Sequence, residues 1–194
     1  MSYRIYQTEA WVLGGIDVKE DSRFIDMFTQ DLGLVRGFAQ GVRKLRSKLR
    51  YGLRDFSRVN ISLVKGREIW RIVGVEVIDR INRSSHEEDL EIIARIFSLM
   101  RRLIKGEEKD MVLYYDINAA IDYLTKSDLT KVEIKKVEIV IVYRILHKLG
   151  YIPDTAELNF LLQKSWCQEL ISFNDEFSSL ALRQINSSLA YSHL

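Results

Sequence analysis

The chain has 194 residues, is 47% hydrophobic and carries a formal net charge of +2, which supports a buried core and excludes disorder over most of its length. No apolar run reaches the roughly 18 residues of a membrane helix, and MSYRIYQTEA lacks a signal-peptide pattern, so a cytoplasmic protein is expected. The small total hides two halves of opposite sign: residues 1–80 hold 15 Lys and Arg against 10 Asp and Glu, and the remainder 14 against 17.

The first eighty residues read as short strands. Ala10 to Leu13 is an apolar run, Arg23 to Thr29 gathers Phe24, Ile25, Met27 and Phe28, and Gly33 to Gln40 follows an Asp31-Leu32-Gly33 turn signal. Ser57, Val59, Ile61 and Leu63 alternate with polar residues, the period of a half-buried strand. Lys65 to Glu68 reads as a hairpin turn, and Ile69 to Ile78 as a long Val- and Ile-rich strand. Five strands at this spacing predict a small antiparallel barrel or sandwich over residues 1–80.

From Ser84 the period becomes helical, predicting an α-helical domain over 81–194. Ser85 and Glu88 form a capping-box signature ahead of Leu90, Ile93, Ile96, Phe97 and Met100, with the helix ending before Gly106. A second helix is predicted from about Val112 to Leu124. Leu129 to Leu149 contains VEIVIVYRIL, which also suits a strand, but its length and the stop at Gly150 and Pro153 decide for helix. Thr155 to Gln163 and Asn174 onward are further helical stretches.

Enzymatic chemistry has no visible constellation. His86, His147 and His193 share no spacing, and Cys167 is the single cysteine. Neither a metal site nor an internal disulfide is therefore predicted. No phosphate-cradling G-x-x-x-x-G-K-[ST] loop occurs. Glu87, Glu88, Asp89 and Glu91 suit the positive end of a helix macrodipole. No catalytic residue, metal or cofactor is expected.

The basic run GVRKLRSKLRYGLRDF, Gly41 to Phe56, is different. Arg43, Lys44, Arg46, Lys48, Arg50 and Arg54 precede the first carboxylate, Asp55, and the run lies between two predicted strands. It reads either as a solvated loop or as a surface offering cations to phosphates without reading bases. Leu45, Leu49, Tyr51 and Leu53 are the expected anchors. Tyr51, Trp70, Phe38 and Tyr3 are candidates to stack bases, Trp70 foremost.

At this point the residues resemble the RecO family of recombination mediators. The resemblance rests on EAWVLGG (Glu9 to Gly15), DSRFIDMFTQDLGLVRGFAQGVRKLRSKLRYGLRDF (Asp21 to Phe56) and VEVID (Val75 to Asp79). YRILHKLGYIPDTAEL (Tyr143 to Leu158) is similar to a segment of the family's helical domain. The resemblance implies an α+β chain, with a five-stranded OB-type antiparallel barrel (1–80) followed by an all-α domain (81–194). It also implies a nucleoid-associated DNA repair protein that binds single- and double-stranded DNA, anneals strands and helps load recombinase. The implied partners are a RecR-like mediator and the acidic tail of the single-stranded-DNA-binding protein. By position, Arg43, Lys44, Lys48 and Arg50 would contact phosphates, with Arg46, Arg54 and Arg58 as further candidates. Arg101, Arg102, Lys131, Lys135, Lys136 and Lys148 are the cations available to an acidic tail. The four-cysteine zinc motif of many members is absent, so helix packing is expected to hold the C-terminal segment. Two alternatives stay open: a helical protein-interaction module whose basic loop only solubilises, and an RNA-binding OB protein.

Overall fold

A computed structural model describes residues 4–81 and 87–191. The chain divides into two compact units, one of Met1–Ser84 with Ile104–Tyr114, the other of Ser85–Leu103 with Tyr115–Leu194.

The first unit is an OB-type barrel of β1 (Ile5–Val18), β2 (Ser22–Thr29), β3 (Gly33–Ala39), β4 (Ser57–Lys65) and β5 (Trp70–Arg80). The strands close in the order β1-β2-β3-β5-β4. A ring with an odd number of strands must contain at least one parallel pair; here it is β3 with β5, joined at Gly37 to Trp70 and Phe38 to Arg71. β1 is much longer than the Ala10–Leu13 run that the apolar pattern marks, because it serves two neighbours. Ile5–Trp11 pairs with β4 and Ala10–Val18 with β2, with a bulge between Val12 and Gly14 where the strand bends. The continuous buried run is Ala10 to Gly14, which starts in the overlap of these pairings at Ala10 and Trp11.

The barrel interior is filled by alternate strand residues, among them Val12, Met27, Val35, Val59, Ile61 and Leu63. Trp70 belongs to this interior at 4% exposure. Its ring meets Tyr6 edge-on at 5.2 Å, and its indole N–H donates to Glu107 Oε1 at 2.6 Å. Glu107 lies in the segment Ile104–Tyr114, which runs against the barrel. Lys65 donates to Glu107 at 2.8 Å, Lys109 pairs with Asp31 at 2.8 Å, and Tyr114 packs on Phe28 with ring centroids 5.7 Å apart. Lys65 and then Trp70 hold the Glu107 carboxyl below its ordinary value, against the opposing effect of burial. The pair therefore contributes stability above the ordinary glutamate range, and that contribution fades as pH falls through the lowered folded value. Glu107→Gln is expected to lower stability at neutral pH by under about 1 kcal/mol, since the site is half open to solvent. It should also flatten that acid limb, as read by thermal melts from about pH 7 to about pH 3.

The second unit is built around α3 (Lys131–Lys148), which packs against α1 (Glu87–Leu103), α4 (Phe160–Gln163), α5 (Gln168–Ile171) and α6 (Asp175–Tyr191). α3 buries Val137, Val140, Ile141, Tyr143, Ile145 and Leu146. Its β-branched content is thus explained by a helix apolar on most sides, as a central helix must be. Thr130 and Glu133 form its capping box. At the other end the Gly150 N–H reaches His147 O and the Tyr151 N–H reaches Leu146 O, with Gly150 at φ 78°. This double closure is a Schellman motif. α2 (Met111–Lys126) begins at Met111, one residue before the expected start, and the α1 signature at Ser85 lies outside the described residues. The predicted helix over Thr155 to Gln163 is reduced to α4, preceded by turns.

Helix packing holds residues 159–167, with Leu161 buried and Phe160 against Phe173 and Phe177, and a buried arginine adds to it. Arg144, 8% exposed, donates from Nε to Leu161 O (2.6 Å), from Nη1 to Asp116 Oδ1 (2.6 Å) and from Nη2 to Lys164 O. Trp166 lies under the same guanidinium, 4.8 Å from its carbon, and also donates to Asp116 Oδ1 at 2.8 Å. One buried arginine thereby gathers α2, α3 and the segment after α4. A four-cysteine metal site does not fit these residues, since Cys167 stands alone in the sequence. Among the described residues no group of three or more His, Cys, Asp or Glu is placed to hold a metal ion.

Candidate nucleic-acid interface

The basic run forms the connection from β3 to β4, and it is a chain of turns rather than a slack loop. Lys44 N–H closes on Gly41 O, Ser47 N–H on Lys44 O, Arg50 N–H on Ser47 O and Leu53 N–H on Leu49 O. Gly41 starts the series at φ 64°, a left-handed value that suits glycine. The ends are tied to the barrel. Gly41 N–H donates to Ser22 Oγ at 3.1 Å, Arg43 N–H donates to Asp21 O, and Phe56 N–H donates to Val12 O. Val42 and Leu53, 4% and 2% exposed, enter the barrel core, and Leu49 packs against it.

Gly52 is buried in close contact with β5. A Cβ there would lie 2.7 Å from both methyl carbons of Val75, and Val75 is a stiff β-branched residue on a paired strand. Gly52→Ala is expected to destabilise the barrel by about 1–3 kcal/mol, measured by denaturant titration.

Two of the predicted anchors, Leu45 and Tyr51, stand largely in solvent. Leu45 does not hold the loop down: it is 83% exposed. It sits with Arg46 at the corner of the turn that Ser47 N–H closes on Lys44 O, and corner side chains point outward. Val42, absent from the expected anchors, takes the buried place instead.

The cations fall into two groups. Arg43 pairs with Asp17 at 3.3 Å and Lys44 with Asp21 at 2.9 Å, both carboxylates flanking the β1–β2 turn. Lys44 and the Ser22 hydroxyl hold the Asp21 carboxyl below its ordinary value, so this pin is present at neutral pH and is lost only in acid. Arg54 lies over the Tyr51 ring, 5.3 Å from its centroid. By contrast, Arg46, Lys48 and Arg50 make no ion pair among the described residues; Arg46 and Lys48 are exposed and Arg50 half-buried.

Arg58 lies apart from these groups. Its Nε and Nη2 both contact Glu9 Oε1, which also accepts from the Tyr114 hydroxyl at 2.9 Å. An arginine held half-buried against a carboxylate has its charge already balanced within the barrel, so Arg58 is a weaker phosphate-contact candidate than the exposed loop cations. Trp70 leaves the stacking candidates for the reason its burial supplies. Phe38 is half-buried on Phe24, with centroids 5.3 Å apart, and Tyr3 lies outside the described residues. Tyr51 remains, 59% exposed, its backbone carbonyl held by Arg80, whose Nε also donates to Ser57 Oγ at 3.3 Å. Nothing in the sequence marked Arg80, Asp17 or Asp21 as supports of this loop, because their roles follow from barrel closure.

Among the helical-unit cations, Lys131 pairs with Glu88, and Lys136 donates to Phe173 O and lies 5.1 Å over that ring. Both are occupied by structural partners. No helix among the described residues is long and apolar enough to cross a membrane.

Comparison with known proteins agrees with this geometry. Residues 1–81 match the family described as Recombination protein O N terminal. A DNA repair protein RecO of Dehalococcoides mccartyi is 28% identical over 153 residues, 78% of this chain and 59% of that protein. A RecO of Caldanaerobacter subterraneus is 27% identical over 158 residues, 77% of this chain and 60% of that protein. One of Myxococcus xanthus is 28% identical over 127 residues, 63% and 50%. The matched part thus spans between half and three-fifths of these curated relatives. Residues 1–81, an OB-type barrel whose β3–β4 connection carries the basic run, thus match the RecO N-terminal family, and the chain is similar to RecO proteins over most of its length.

Proposed function

We propose that this chain is a DNA-binding protein of recombinational repair, acting in the cytoplasm at the nucleoid. It binds single- and double-stranded DNA through the β3–β4 loop and promotes annealing of complementary strands. The observation that carries this reading is the contrast within the loop: a backbone fixed by turns and barrel contacts presents Arg46, Lys48 and Arg50 with no ion pair among the described residues. Phosphates are the natural partner of such a row, and neutralising them releases counterions in a sequence-independent way. Annealing needs no catalytic group. It needs two strands with reduced repulsion and bases left free to pair, which a backbone-directed loop permits.

Recombinase loading with a RecR-like mediator and the single-stranded-DNA-binding protein belongs to the same proposal, on the strength of the family relationship. The test is fluorescence anisotropy with an arbitrary-sequence single strand, its RNA counterpart and a duplex. DNA binding that falls linearly with the logarithm of salt is expected. Absence of binding at about physiological salt would leave the protein-interaction module as the better reading. A strong preference for the RNA strand would transfer the proposal to RNA.

A further inference from the structure

The same loop exposes a side chain that phosphate binding alone does not use. Leu45 and Leu49 are one turn apart in one segment, yet Leu49 packs on the barrel core while Leu45 stands in solvent at 83% exposure. Lys44 and Arg46 flank it directly. It occupies a corner of the Lys44–Ser47 turn, a place where Asn, Asp, Ser or Pro would suit the backbone better. The turns on either side, and the tie of Arg43 N–H to Asp21 O, hold the segment so that Leu45 does not fold inward.

We infer that Leu45 is a base-contacting wedge: with Arg46 and Lys48 nearby on phosphates, its isobutyl group lies against the face of an unstacked base or between two bases. The inference rests on the reading of the loop as a phosphate-binding site. A leucine has no hydrogen-bonding group, so this contact is blind to sequence, as annealing of arbitrary strands requires. Apolar wedges of this kind part stacked bases at an energetic cost that is least where the bases are already unpaired. The loop is therefore selective for single strands and mismatched or forked duplexes over perfect duplex.

The experiment uses the full chain and oligonucleotides carrying 2-aminopurine, whose fluorescence rises on unstacking. Leu45→Ala is expected to bind single-stranded DNA roughly tenfold more weakly and to lose most of the fluorescence rise at saturating protein. Its salt slope, its affinity for perfect duplex and its melting temperature should stay unchanged, and Leu45→Met should restore both lost signals. Unchanged single-strand affinity and fluorescence in Leu45→Ala would overturn the wedge. So would an affinity loss accompanied by a lower salt slope, which would make Leu45 a support for the cations instead. A variant lacking Arg46, Lys48 and Arg50 that still binds DNA as before would instead overturn the phosphate-site reading, which keeps the two failures distinct.

Discussion

Replacing Arg46, Lys48 and Arg50 together with alanine is expected to reduce the salt slope of DNA binding by about 2 on single strands and about 3 on duplex. At low salt the affinity should fall by on the order of a hundredfold, equally for unrelated sequences. The fold should be unaffected, since these side chains make no ion pair among the described residues. The companion variant Arg43→Ala with Lys44→Ala separates the two groups of cations. Each of these residues already has a carboxylate, Asp17 at 3.3 Å and Asp21 at 2.9 Å. A phosphate that takes over such a cation gains less than one that meets an unpaired cation, so this pair of substitutions should lower the slope by less than two. Arg58→Ala should act mainly on stability, because it leaves Glu9 half-buried without its counterion.

The second large effect concerns Arg144. Arg144→Leu leaves Asp116 without its ion-pair partner and two backbone carbonyls, of Leu161 and Lys164, without their donor. The expected loss is about 3–5 kcal/mol in the helical unit, the range for breaking a buried ion pair from one side. Arg144→Lys should recover little, because an ammonium cannot reproduce the planar fork that meets three acceptors. Denaturant unfolding, together with hydrogen exchange of residues 159–167, reads both outcomes. Full stability in the lysine variant would show that burial of the aliphatic stem, not the fork, holds this segment.

Local period and turn chemistry made most elements legible in the sequence. Alternation in Ser57 to Leu63 marked β4, the Gly150 and Pro153 stop marked the end of α3, and the three- and four-residue spacing from Leu90 marked α1. The ends of β1 were not legible, because its outer halves are each buried on one side only and their polar residues mask a continuous strand. Trp70 shows the limit for the site. Beside a turn in sequence it resembled a surface ring, yet the residue that closes over it, Glu107, is 37 positions away, and no local signal joins them. Arg58 and Glu9 are 49 positions apart and met only when β1 paired with β4. Composition exposed the density of charge in Gly41 to Phe56. Which of those charges have protein partners depends on Asp17 and Asp21 beside the β1–β2 turn, and which leucine faces water depends on turn registration that hydrophobicity does not encode.

Phosphates are expected to meet Arg46, Lys48 and Arg50, the cations of the β3–β4 loop that make no ion pair among the described residues. The most direct measurement is a crystal structure of the chain with a short oligothymidine. Phosphate oxygens are predicted within about 3 Å of the Arg46, Lys48 and Arg50 side chains, with the Arg43–Asp17 and Lys44–Asp21 pairs intact or exchanged for phosphate. An ordered strand bound elsewhere on the chain, with the loop bare, would contradict it.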